Sequence, residues 1–293
     1  MLPVLPRFGV EFVKLQAFIK MDDEDQDEHA LEIDARMKAP LEWMITTKYK
    51  ILDLKESLKT IRRVVHSATQ IIRSTFTIMI ISYCMFGHYF LQEDPMCKAS
   101  SLLQDKTSVD EYLELAKTWM KDTTSLVVTS IASGRVIGVM IAQIISESDK
   151  SDTYNRVQIL NGKSIEKIRL LRSTLAVQTN AHERFGHDKY LCIHILCVHP
   201  SYKEKGVETA LLNASVELAA TLKLPAIGGI FTSGVSQATA CNMDFEILHE
   251  IRYALWVIDD QVVFDDPGRG NYSAAFMGKL VPQNESTEEE NCV

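Results

Sequence analysis

The chain has 293 residues, enough for one large domain or two small ones. Hydrophobic residues make up 46% and charged residues 24%, which predicts a globular core and excludes disorder of the bulk. A net charge of −8 and a pI near 5.5 lack the basic field of a nucleic-acid binder, so no nucleic-acid partner is expected.

Residues 1–40 carry the acidic run Asp22, Asp23, Glu24, Asp25, Asp27 and Glu28 and read as a solvated, disordered tail. No basic region followed by a long apolar stretch opens the chain, so no secretory signal is expected. The folded body is expected over 41–281, with a second acidic tail over 282–293. Within the body, Tyr49 to Leu54 alternates as a first strand, and Glu56 to Arg73 reads as a helix. The uncharged stretch from Ser74 to Gln92 approaches the ~20 residues that cross a bilayer. Its Ser, Thr, Gly and His residues favour a buried helix instead, and residues 74–90 look like an apolar insertion or a segment foreign to the fold. No membrane partner is expected.

Ser108 and Glu111 form a capping-box pattern opening a helix with Val109, Leu113, Ala116 and Met120 on one face. Leu126–Ile131 and Val136–Ile145 are β-rich runs joined by a short turn, an antiparallel hairpin. Ile165 to His182 is helical. Leu191–Val198 is an apolar strand buried on both faces, and a helix with regular apolar spacing starts at Val207. Ala226–Phe231 is the next strand, Ala238–Met243 a short helix, and Glu246–Ile258 a long strand. The six cysteines, Cys84, Cys97, Cys192, Cys197, Cys241 and Cys292, have neither CxxC nor metal-ligand spacing. They predict reduced thiols in a reducing compartment, the cytoplasm, and no metal site. Simple alternation puts Cys192 and Cys197 on different sides of their strand.

The informative stretch is Leu196-Cys-Val-His-Pro-Ser-Tyr-Lys-Glu-Lys-Gly-Val-Glu-Thr-Ala-Leu-Leu212. A buried strand ends, a loop carries Lys203, Lys205 and Gly206, and an amphipathic helix begins. Unpaired backbone N–H groups and the positive end of the helix dipole make such a junction an anion site, and two lysines beside a glycine suit a phosphate. An ordinary surface turn has the same composition.

This stretch resembles the acetyl-CoA loop of the GNAT N-acetyltransferases, and more closely their insect arylalkylamine N-acetyltransferase-like branch, which reads "LSVHPSYRGRGIGTALL" here. Phe90-Leu-Gln-Glu-Asp-Pro-Met-Cys-Lys98 is similar to the branch's "F-L-x-D-E-P-L-C-K". Ala181 to Tyr190 resembles the segment leading into the central strand, and Phe231-Thr-Ser-Gly-Val-Ser-Gln237 with Asp244-Phe245 resembles "T-x-x-x-S-Q … G-F". The resemblance implies a mixed α/β, three-layer α-β-α fold whose largely antiparallel sheet splits between its fourth and fifth strands. It implies acetyl-CoA in that split, along Leu196, Cys197 and Val198, with its pyrophosphate on the loop amides of Lys203, Glu204, Lys205, Gly206, Val207, Glu208 and Thr209. It implies an acyltransferase that acetylates a small primary amine, possibly an arylalkylamine, and the expectation is a monomer. The carboxylate before Pro95 is the implied general base, here Asp94 with Glu93 before it, and Thr232 and Ser236 fall on active-site hydroxyl positions. Asp94 also suits a turn before proline. His194 and His199 read as core or structural histidines. Glu204 and Glu208 stand where the branch has glycine or a small residue, and Asp244 replaces a glycine. The alternative is therefore a GNAT-fold binding or regulatory protein with a degenerate phosphate loop.

Overall fold

An eight-stranded sheet organises the residues that this computed structural model describes, namely 42–45, 49–53, 89–120, 124–130, 136–148 and 160–282. The tail expected over 1–40, the helix over 56–73, most of the apolar stretch and the C-terminal tail lie outside them. In chain order the strands are β1 (Glu42–Ile45), β2 (Tyr49–Asp53), β3 (Leu126–Ser130), β4 (Val136–Ser146), β5 (Lys189–Val198), β6 (Ala226–Phe231), β7 (Glu246–Arg252), β8 (Val257–Ile258), β9 (Gln261–Val262) and β10 (Ser273–Leu280). The sheet runs β1-β2-β3-β4-β5-β6-β10-β7, and β8 with β9 forms a separate pair. Every neighbouring pair is antiparallel except β5 and β6, which are parallel. Among the described residues, no helix is long and apolar enough to cross a membrane.

Helices cover both faces. On one lie α1 (Leu91–Glu93), α2 (Pro95–Ala99), α3 (Lys106–Trp119), α4 (Lys163–Thr179) and α5 (Ala181–Phe185); on the other lie α6 (Val207–Thr221) and α7 (Gly234–Cys241). The first core joins Met96, Tyr112, Leu171 and Phe185 to Val139, Ile141 and Ile195; the second joins Leu211, Leu218 and Ala240 to Met140, Ile193 and Ile227. The strands β3, β4, β5, β6 and β10 therefore feed alternate residues to two cores, giving the expected three layers.

Several elements differ from the sequence reading, each for a local reason. Asp105, not Ser108, caps α3: its Oδ1 accepts from the Ser108 N–H at 3.2 Å, and the Ser108 hydroxyl donates to Oδ2 at 2.6 Å. The helix expected to run to His182 breaks at Asn180, which takes a left-handed conformation at φ 45°. The helix α7 starts at Gly234, because Ser233 accepts from the Ser236 N–H and caps it. The long strand expected to Ile258 turns after Arg252, where Tyr253 enters the core. Sequence patterning gives no strand over Ser273–Leu280, whose alanines and glycine have low β propensity; β6 and β7 impose it from either side.

Two features of β5 shape the site. Its register against β4 shifts between Ile141/Ile195 and Ala142/Ile193, so His194 is the extra residue of a β-bulge. The bulge reverses the alternation, and Cys192 and Cys197 both join the first core instead of facing apart. Secondly, β5 pairs with β6 only through Leu191/Ile227, Cys192/Gly228 and Ile193/Gly229. Beyond those residues the strands diverge, and this fork is the split between the fourth and fifth strands of the expected fold. A Cβ on Gly229 would lie 2.4 Å from the Ile193 carbonyl oxygen, so only glycine permits the close approach at the base of the fork. Gly229→Ala should therefore lose on the order of 1–3 kcal/mol by overpacking. At roughly 2–4 °C per kcal/mol for a domain of this size, thermal unfolding reads the loss directly, and an unchanged Tm would contradict it.

Candidate active site in the fork of the sheet

Asp94 lies between α1 and α2 in an extended conformation, with Pro95 at the first helical position. Its Oδ1 accepts from the Cys97 N–H at 3.0 Å, which caps α2, and its Oδ2 accepts from the Thr232 hydroxyl at 2.5 Å. Asp94 is 5% exposed. Thr232 follows the last residue of β6, and its carbonyl accepts from the Tyr253 hydroxyl at 2.7 Å. Side chains thus fasten the helical layer to the end of β6 beside the fork. Asp94 thus fills the turn role expected before Pro95, and each carboxylate oxygen keeps a lone pair after these bonds.

Thr232 and Ser236 line one small cavity with Phe90, Leu196, Ile230 and Phe231. Its volume is about 20 Å³, room for one water. Leu196 therefore reaches the site, whereas Cys197 is buried in the first core and Val198 packs against the second. Burial pushes the Cys97 thiol well up, with the nearby Asp94 carboxylate adding to it, and burial pushes Cys197 up to about 12. Neither cysteine offers a thiolate for a covalent intermediate near neutral pH. Burial, aided by Arg172, lowers His194 to about 3, so its ring is neutral there. His199 accepts from the Ser201 N–H at 3.1 Å and holds the start of the loop.

The loop itself departs from a simple phosphate cradle. Lys203 donates to Glu93 at 2.8 Å, and Lys205 lies 5.0 Å from the centre of the Tyr202 ring. The Lys203 hydrogen bond holds the Glu93 carboxyl below its usual range. Gly206 sits at φ 75°, where glycine is free of strain, and α6 starts after it. Glu204 adopts φ 61° and Asp244 likewise φ 61°, so both non-glycine residues occupy left-handed turns. The Val207 side chain is buried in the second core, and Thr209 is exposed. Glu208, in the first turn of α6, points inward: its Oε1 is buried and without a hydrogen-bond partner among the described residues. Burial raises its pKa, against the pull of the Ser236 hydroxyl and Lys203.

Sequence reasoning assigned no role to two supporting groups, Gln237 and Arg172. The Gln237 amide donates to the Phe231 carbonyl at 3.0 Å and the Ser273 carbonyl at 2.9 Å, clasping β6 to β10 at the site. Arg172 reaches the site from α4, four residues after the core residue Ile168; a charge beside an apolar helical stripe is the signal that could have found it. A second cavity of about 360 Å³ adjoins the first, and Arg172, His194 and Ile230 line both.

No protein-family model matches the chain, and no curated protein matches it. Solved structures do. A putative arylalkylamine N-acetyltransferase 7 from the yellow fever mosquito is similar at a TM-score of 0.69 and 22% identity, over 84% of this chain and 98% of that one. Arylalkylamine N-acetyltransferase 2 from Aedes aegypti is similar at 0.62 and 21%, over 73% and 98%. This chain has the GNAT fold. A polyamine N-acetyltransferase of Drosophila melanogaster shares that fold at 0.57 and 14% identity, over 69% of this chain and 94% of that one.

The buried Glu208 makes a stability prediction. A carboxyl with a raised folded-state pKa contributes fully below its unfolded value and loses that contribution as pH rises through the folded value. Glu208→Gln should therefore melt higher than the parent at pH 7.5, by roughly 2–4 °C for about 1 kcal/mol. The advantage should shrink toward pH 4, and equal Tm values at pH 7.5 would contradict it.

Proposed function

We propose that the chain transfers an acetyl group from acetyl-CoA to a small primary amine, with arylalkylamines as the acceptor class. The reading assigns this to one domain over 41–281, acting as a monomer in the cytoplasm; the free Cys97, Cys192, Cys197 and Cys241 support a reducing compartment. The observation that carries it is the Asp94–Thr232 hydrogen bond beside the β5–β6 fork. The N-acetyltransferase structures that share the fold support the same chemistry.

The residues present suit the cofactor along β5, where pairing with β6 has ended and Leu196 lines the opening. Acetyl-CoA supplies the acetyl group as an activated thioester. Asp94 accepts a proton from the acceptor ammonium, directly or through a water, and so frees the nitrogen lone pair. The new C–N bond forms as the C–S bond breaks, and the second proton of the nitrogen passes to the leaving thiolate. Thr232 orients the Asp94 carboxylate, and Ser236 offers a hydroxyl in the same cavity. Asp94→Asn should lower kcat/KM by roughly 10²-fold or more while leaving acetyl-CoA affinity nearly unchanged. If Glu93→Gln abolishes activity and Asp94→Asn does not, the assignment of the base fails.

The inward Glu208 favours a second reading, a GNAT-fold binding protein with weak cofactor affinity. A carboxylate beside a pyrophosphate is repelled, and it places negative charge at the helix N-terminus that the phosphate would use. Glu204→Gly with Glu208→Gly should tighten acetyl-CoA binding by about tenfold in calorimetry. The parent should bind more tightly as pH falls toward the raised Glu208 value and its carboxylate is neutralised. No acetyl-CoA binding by the parent or the double variant would favour the second reading.

A further inference from the structure

The larger cavity has an electrostatic character that the proposed reaction does not use. Its walls are mainly apolar and aromatic, including Tyr112, Trp119, Tyr190 and Phe276. Its volume, about 360 Å³, lies within the range of small-molecule pockets. Its charged lining groups are Arg169 and Arg172, and no Asp or Glu lines it among the described residues. Arg172 is half-buried. Its guanidinium donates to the His194 carbonyl at 3.3 Å and lies 5.8 Å from the centre of the Trp119 ring. No carboxylate among the described residues forms an ion pair with it. The His194 ring stacks on Trp119, with centroids 4.4 Å apart and planes at 4°, and its Nε2 is buried without a hydrogen-bond partner among the described residues.

A guanidinium has five donors, and the His194 carbonyl takes one of them. A half-buried guanidinium with no counter-ion among the described residues suits a carboxylate, which matches its fork in two parallel hydrogen bonds. The buried His194 Nε2 adds another polar position on the same wall. The surrounding aromatic rings suit an aryl group. We propose that this cavity binds an aromatic ligand carrying a carboxylate, with the acid group at Arg172 and the ring against Trp119, Tyr190 and Phe276.

The cavity shares Arg172, His194 and Ile230 with the cleft that holds Thr232 and Ser236. Resting on the proposed acetyl transfer, the favoured acceptor is then an aromatic amine that bears a carboxylate. Polyamines are disfavoured, because a second ammonium in the cavity meets two arginines and no acid among the described residues.

The test needs no acetyl-CoA. The full chain is titrated by calorimetry with 3-phenylpropionate and with phenethylamine, which carry the same ring and opposite charges. The carboxylate should bind at least ~10-fold more tightly, as expected for a charge-assisted bidentate pair. Arg172→Gln should remove that preference and Arg172→Lys should keep its direction but reduce its size, since lysine keeps the charge and loses the fork, provided circular dichroism shows both variants folded. Equal or tighter binding of phenethylamine, an unchanged preference in Arg172→Gln, or no binding of 3-phenylpropionate up to about 10 mM would overturn the proposal. Binding of 3-phenylpropionate by a chain that acetylates nothing would leave this subsite standing and remove the acetyltransferase reading alone.

Discussion

The parallel pairing of β5 with β6 stops at Ile193 and Gly229, and the rest of the site is arranged around that stop. Up to that point the backbones are close enough that a Cβ on Gly229 would collide with the Ile193 carbonyl oxygen. Beyond it the two strands feed different elements. One runs through Val198 to the loop and α6, and the other ends at Phe231, with Thr232 following it before α7. A sheet that kept pairing would have no cleft at this point. The bulge at His194 falls one residue past the last pair. It turns both His194 and Ile195 toward the helical layer of α3 and α4, and so brings the imidazole against Trp119.

Hydrogen bonds then tie the end of β6 to the helical layer. Tyr253 donates to the Thr232 backbone, Thr232 donates to Asp94, and Asp94 caps α2. The chain connects residues far apart in sequence, so each member constrains the others. A carboxylate in this position has a fixed orientation before any ligand arrives, which is what a proton acceptor requires. Glu208 works in the opposite direction. Its inward, unpaired oxygen puts negative charge at the start of α6, where the dipole favours an anion. The balance between these two carboxylates decides between the catalytic reading and the binding reading.

Much of this was legible in the sequence where local pattern and tertiary need agree. The apolar run 191–198 and the regular stripe from Val207 gave the central strand and α6, because burial on both faces leaves few other arrangements. Asp94 suited a turn before Pro95, which is where it caps α2, and Thr232 and Ser236 line one small cavity. What stayed illegible depends on partners distant in sequence. The His194 bulge is set by register against β4, so Cys192 and Cys197 could not be assigned faces by alternation alone. Tyr253 reads as one more strand residue until its hydroxyl is seen beneath Thr232. The partners of Lys203 and Lys205 lie on other turns or segments, and a loop motif cannot show that Glu93 and Tyr202 take them.

Amide hydrogen exchange with and without saturating acetyl-CoA tests the central claim most directly, because it reads the backbone of the fork itself. The account predicts slowed exchange over residues 194–198 and 203–209, with little change in β7 and β10. Unchanged exchange in both segments, or protection confined to other parts of the sheet, would contradict the fork as the cofactor site.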